Sequence, residues 1–147
     1  MIIVKFMTGN RTRPRDADRP PSLDDLARLG EAALAVIPEP LRMHLGGLVL
    51  RVDDFPDEDV CRDMSLRSPF DLLGLYVGRD LAHRSVTDVP DDVDMVFLYR
   101  RPILDYWVET GESLAHVVRH VLIHEIGHHF GFSDEDMDAI ERAGEAD

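Results

Sequence analysis

The first third of the chain places apolar residues at the spacing of an amphipathic helix. Ser22 can cap this helix, and Asp25, three residues later, provides a weaker version of the capping box. Pro38 and Pro40 end it. The apolar positions that recur at helical spacing are Leu23, Leu26, Ala27, Leu29, Ala33, Leu34 and Ile37. The pattern therefore predicts a first helix that begins after Ser22.

Three short apolar runs later in the chain each predict a strand. These runs are residues 48–52, 72–77 and 95–99. Gly74 in the second run and Gly78 just after it permit a close backbone approach or a bulge. Residues 58–64 favour a short helix, and residues 80–92 form a polar loop.

Helices dominate the last third. Residues 102–107 favour a short helix, and a long helix capped by Thr110 or Ser113 follows and ends at Gly131. Ser133 caps a last helix. These elements predict an α+β fold, in which a small sheet of three to four strands packs on the N-terminal helix and the long helix. A C-terminal helix completes it.

Length and charge limit the possible classes of protein. The chain has 147 residues, which suits one domain, and its net charge is −13. This charge disfavours binding to nucleic acid or to an anionic membrane. Residues 1–21 carry five basic and two acidic side chains, so this segment is +3 and residues 22–147 are −16. We therefore expect a flexible basic arm over 1–21 and a single domain over 22–147.

The cellular location is predicted from two further features. Cys61 is the single cysteine, so no internal disulfide can form. The apolar run at the N-terminus is too short for the core of a signal peptide, and no apolar run is long enough to cross a bilayer. A soluble cytoplasmic protein is the expectation.

The long helix carries the pattern His124-Glu125-Ile126-Gly127-His128. Two histidines four residues apart lie about 40° from each other on one face of a helix, one turn apart. Both imidazoles can thus surround one point, as a tetrahedral zinc ion requires. Glu125 projects from nearly the same face, where it can take a proton from the attacking water and deliver one to a leaving group.

The residues after His128 supply a third ligand. Gly131 can adopt a left-handed conformation that ends the helix, and the chain then reverses and brings Asp134 toward the metal. Two histidines and one carboxylate leave a fourth position for water, which is the pattern of a catalytic zinc site. The sequence predicts one zinc ion per chain, held by His124, His128 and Asp134, with Glu125 as the catalytic base.

Other polar residues have weaker claims to a role. His116 and His120 continue the four-residue ladder, and we interpret them as packing, exposed or supporting groups because Arg119 disfavours a nearby cation. His129 points about 100° away from His128, which favours a structural hydrogen bond. The residues that could stabilise an oxyanion are Tyr76, Tyr99, Arg100 and Tyr106.

The chain resembles the small bacterial zincin-like metallopeptidases known as minimal zincins. The matching segments are residues 73–78 (LGLYVG), 96–103 (VFLYRRPI) and 124–134 (HEIGHHFGFSD), within a resemblance that covers roughly residues 22–140. The resemblance implies a zincin-like α+β fold with the active-site helix under the sheet. It also implies zinc on His124, His128 and Asp134, with Glu125 as the base.

Two better-known groups of zinc peptidases differ from this pattern. Metzincins have a histidine in place of Asp134 and then a methionine turn, to which Met137 is too close to be assumed equivalent. Thermolysin-like enzymes take a glutamate from a later helix, so Glu141 or Glu145 competes with Asp134 as the third ligand. Asp134 is favoured as the third ligand because the turn at Gly131 brings it back toward the two histidines.

Three functions remain open at this point. The first is a zinc-dependent peptidase that acts on a peptide or protein, which can add to an exposed sheet edge as an extra strand. The second is a metal-dependent endoribonuclease, since a known family spaces its ligands as His124, His128 and position 134 are spaced here. Glu125 and the acidic balance count against it. The third is a non-catalytic zinc-binding module that binds a partner. The oligomeric state is not determined by the sequence.

Overall fold

Helices and strands are mixed along the chain. The computed structural model describes residues 19–78 and 93–145. Within these ranges the elements are α1 (Leu23–Ala35), β1 (Val49–Asp53), α2 (Glu58–Asp63), β2 (Gly74–Val77), β3 (Met95–Tyr99), α3 (Arg100–Thr110), α4 (Leu114–His129) and α5 (Asp134–Glu145). The fold is therefore α+β, as predicted. Most of the predicted basic arm and the predicted polar loop at 80–92 lie outside the described residues.

Serine side chains begin three of the helices. The Ser22 hydroxyl accepts a hydrogen bond from the backbone of Asp25, and the Asp25 carboxylate accepts one from the backbone N–H of Ser22. This complete capping box, with Arg28 beside it, lowers the pKa of Asp25 to about 2. Ser113 caps α4 through the backbone N–H of His116, and Ser133 forms the same reciprocal pair with Asp136 at the start of α5. The local sequence thus sets these three helix starts.

Strand β3 is the centre of a three-stranded mixed sheet in the described part of the chain. It pairs in parallel with β1 and antiparallel with β2, so the order is β1-β3-β2. Val96 and Leu98 face the main core, which contains residues of α1 and α4. Met95, Phe97 and Tyr99 face a second, smaller cluster that includes Val60. Both faces of β3 are covered, which explains its uninterrupted apolar sequence.

Helix α4 packs directly under β2. A Cβ atom on Gly74 would lie 2.7 Å from Val121 Cγ1 and 2.9 Å from the Phe97 carbonyl oxygen, so only glycine fits there. One on Gly78 would lie 2.9 Å from Cε1 of the His129 ring. The close approach predicted at these two glycines is confirmed, and it places the strand against the C-terminal half of α4.

Two predicted boundaries are wrong. Helix α3 begins at Arg100, before Pro102, because proline is tolerated in the first turn, where N–H groups have no intrahelical acceptor. Strand β2 begins at Gly74 and not at residue 72; Leu72 is the C-cap of a 3₁₀ turn over Pro69–Asp71. Among the described helices, none has the length and apolar character needed to cross a membrane.

Candidate metal centre

The C-terminal half of α4 carries the polar side chains of the histidine motif, and one of them, Glu125, lies next to β2. His124 and His128 are one turn apart, and their ring centroids are 5.9 Å apart with the planes at 78°. The His124 side chain is 20% exposed, whereas that of His128 is 56% exposed. The first histidine therefore lies at the inner end of the site and the second at its open end.

A glycine turn brings Asp134 to His128. Gly131 has φ +81°, which confirms the predicted left-handed residue. The N–H of Gly131 donates to the carbonyl of His128 at 3.2 Å, and the N–H of Phe132 donates to that of Gly127 at 2.9 Å. These two bonds form a Schellman motif, which ends α4 and reverses the chain. Asp134 Oδ1 consequently lies 3.1 Å from His128 Nε2.

The donor set suits a divalent cation. One ligand atom each from His124, His128 and Asp134 lies within 4.8 Å of the others. Donors around a tetrahedral zinc ion with bonds of about 2.05 Å are about 3.3 Å apart, close to the distance between His128 and Asp134. His124 Nε2 is buried and has no hydrogen-bond partner. Such an orphaned nitrogen between acidic neighbours fits a metal ligand.

Glu125 is enclosed between α4 and β2. Its Cγ lies 3.4 Å from the position that a Cβ on Gly74 would occupy. Burial raises the pKa of Glu125 to about 7, while the nearby His128 and a hydrogen bond from the backbone of Tyr76 act in the opposite direction. A carboxyl group whose pKa lies near neutrality is suited to accept and release a proton.

Burial also affects the first histidine. Loss of solvent is the main cause that lowers the pKa of His124, and the neighbouring His120 adds to it, while Glu141 opposes it. The neutral imidazole is therefore favoured, and this is the form that binds metal ions. The lowered pKa of His124 and its position near His128 and Asp134 both fit a metal ligand.

The oxyanion candidates occupy different surroundings. The Tyr76 ring stacks on His129 with centroids 3.9 Å apart, and its hydroxyl donates to Asp94 at 3.2 Å. Tyr99 is in the second cluster, on the sheet face opposite α4. Arg100 donates to the carbonyl of Pro21 at 2.6 Å and to Asp54 at 3.1 Å. Tyr106 is 39% exposed on α3. Of these residues, the structure brings Tyr76 next to Glu125, through its backbone.

Sequence reasoning missed the partner of His120. Its Nδ1 lies 2.7 Å from Glu141 Oε1, the same oxygen that lies 3.1 Å from His124 Nε2. His116, one turn earlier, faces Glu112 instead, at 3.0 Å. The four-residue spacing of the histidines was visible in the sequence. The packing of α5, which carries Glu141, against α4 was not.

Comparison with known proteins gives the family. The model of the zincin-like metallopeptidases matches residues 45–144. The chain therefore belongs to the zincin-like metallopeptidase family. The family suggests metal-dependent peptidase activity and implies a zinc cofactor. No protein in a search of curated sequences matches the chain.

Proposed function

We propose that the chain is a zinc-dependent peptidase in which His124, His128 and Asp134 hold the ion and Glu125 is the general base. The observation that carries the proposal is the convergence of two imidazoles and a carboxylate beside a half-buried glutamate whose pKa is raised to about 7. Zinc held there supplies a Lewis acid that polarises the substrate carbonyl and acidifies the attacking water.

The position of Glu125 supports its role. An amide N–H donates one strong hydrogen bond, and that of Tyr76 is directed to the Glu125 carboxylate. It therefore points away from β3 toward the other edge of β2, which no described strand covers. A peptide that lies along this edge would pass next to Glu125, which can then take the proton of the water and give it to the leaving amine.

The openness of the site also favours a macromolecular substrate. Asp134 and His128 have side chains that are 83% and 56% exposed, so an extended chain can reach them from solvent. The edge of β2 that no described strand covers offers main-chain hydrogen bonds to such a chain. A peptide or protein substrate fits such a surface better than a small molecule, which requires a concave pocket.

The test uses the purified full chain with an unfolded protein as substrate. We expect about one zinc ion per chain. Glu125→Gln should retain the metal and lower the rate of hydrolysis by roughly 10² to 10⁴. Glu135→Gln, which changes an exposed glutamate in the first turn of α5, is the matched control and should leave the rate unchanged.

Three outcomes would contradict the proposal. Full activity of Glu125→Gln would exclude this residue as the base. Cleavage of RNA without cleavage of protein would favour an endoribonuclease, and metal binding without turnover of either would favour a binding module.

A further inference from the structure

A second group of ligand atoms lies one helical turn before the first. His120 Nδ1 and His124 Nε2 approach the same oxygen, Glu141 Oε1, at 2.7 and 3.1 Å. One ligand atom from each of the three residues lies within 4.8 Å of the others. Two imidazole nitrogens and a carboxylate oxygen at such distances form a donor set that suits zinc or cobalt(II).

Two of these atoms lack the partners that buried polar atoms need. His124 Nε2 and Glu141 Oε1 are both buried; Glu141 Oε1 has His120 Nδ1 at 2.7 Å and His124 Nε2 at 3.1 Å, but neither contact has the geometry of a hydrogen bond. Their contact at 3.1 Å therefore leaves both unsatisfied. A cation that both atoms coordinate would use the lone pair of the nitrogen and the charge of the carboxylate.

Contacts that involve no ion hold Glu141 in this position. Met137, one turn earlier on α5, is fully buried, and its side chain fills the hollow left by Gly127 of α4. Arg119, whose charge was expected to disfavour a cation near His120, has its guanidinium bonded on α5: Nη2 donates to the carbonyl oxygen of Glu141 at 2.8 Å, and the group packs against Gly144. The two helices are therefore fixed together on both sides of the Glu141 carboxylate.

We propose that His120, His124 and Glu141 form a second position for a divalent cation, which competes with the first because both use His124. The competition rests on the proposed function, which places the first ion on His124, His128 and Asp134. The nitrogen concerned is Nε2, which faces Glu141 and which the proposed function assigns to the first ion; it has one lone pair, so it serves one ion at a time. An ion in the second position leaves His128 and Asp134 without their shared partner, and the chain is then inactive.

The second position is the more enclosed of the two. The side chains of His120, His124 and Glu141 are 38%, 20% and 14% exposed. Those of His128 and Asp134 in the first set are 56% and 83% exposed. We therefore expect the second set to retain an ion when the first set loses a ligand.

The test measures metal affinity in variants of the full chain, with zinc in competition with a chromophoric chelator and cobalt(II) absorption as a second readout. His128→Ala should still bind one ion, with an affinity lowered by no more than about tenfold, because the second set remains. The double variant His128→Ala with His120→Ala should bind about a hundredfold more weakly than His128→Ala, since neither set is then complete.

Two further double variants control for unfolding. Glu141→Gln with His128→Ala keeps the shape of the side chain and should also lose the ion. His116→Ala with His128→Ala removes the neighbouring histidine, which faces Glu112, and should behave as His128→Ala alone.

The proposal is overturned if His128→Ala alone loses as much affinity as its double variant with His120→Ala. Two zinc ions per wild-type chain would also overturn it, because the two sets would then not compete. None of these measurements uses hydrolysis. A chain that shows this binding pattern but cleaves no peptide would contradict the proposed function and leave the second position supported.

Discussion

The partly desolvated carboxyl group of Glu125 should make the metal-free protein less stable as the pH rises. Burial raises the pKa of this group from 4.5, the ordinary value for glutamate, to about 7. The folded state therefore binds more protons than the unfolded state between these two values, and the free energy of unfolding falls as the pH increases through this window. Above it the loss is constant, at about 3 kcal/mol by the usual conversion of a pKa shift.

Glu125→Gln removes this titration with little change in shape. The amide oxygen of glutamine can still accept the hydrogen bond from the backbone of Tyr76, whereas the charge that burial disfavours is gone. Since the wild-type group is mostly protonated in the folded state at pH 5 and ionised at pH 8, we expect the variant to gain about 2.5 kcal/mol relative to wild type between these pH values.

Urea unfolding of both proteins with a chelator present, at pH 5 and pH 8, measures this gain. Titration of groups that do not interact with Glu125 contributes equally to both proteins and cancels in the comparison. Glu135→Gln alters an exposed carboxylate and should show no such dependence on pH. The reasoning is refuted if the difference in stability between wild type and Glu125→Gln is the same at both pH values, or if the variant is the less stable one at pH 8.

Three other substitutions test the packing and the caps. Gly127→Ala places a methyl group on the Met137 sulfur, and we expect thermal unfolding to show a loss of about 1–3 kcal/mol, despite the better helix propensity. The same change in a Met137→Ala background should cost nothing, and an equal cost in both backgrounds would contradict the packing argument. Gly74→Ala meets the carbonyl oxygen of Phe97 and should lower the melting temperature clearly, so an unchanged value would count against this close approach. Ser22→Ala should cost about 1 kcal/mol in urea unfolding and Ser22→Thr much less; equal values for the two would exclude the cap as the cause.

Much of the candidate site was predictable because it depends on short-range geometry. The spacing of His124 and His128 sets the angle between them on any α-helix, and Glu125 follows from its neighbour. Gly131 with φ +81° and the serine caps act within a few residues. The three strands were also predicted, each from a short apolar run; the run at Met95–Tyr99 is typical of a strand covered on both faces.

Contacts between distant segments were not predictable. The pattern did not show that β3 lies between β1 and β2, or that β2 is the strand beside α4. Nor did it show that Glu141 faces His120 and His124, because this depends on how α5 crosses α4.

The division between the two sources of information has a physical reason. Helix geometry, caps and glycine turns are local, so the sequence alone determined the elements and the motif that runs from His124 to Asp134. Which helices and strands lie side by side depends on which apolar surfaces bury one another. A single contact, such as that of the Met137 side chain with Gly127, can fix the position of α5 on α4. Only the tertiary structure therefore decided which strand borders Glu125 and which carboxylate lies next to His124.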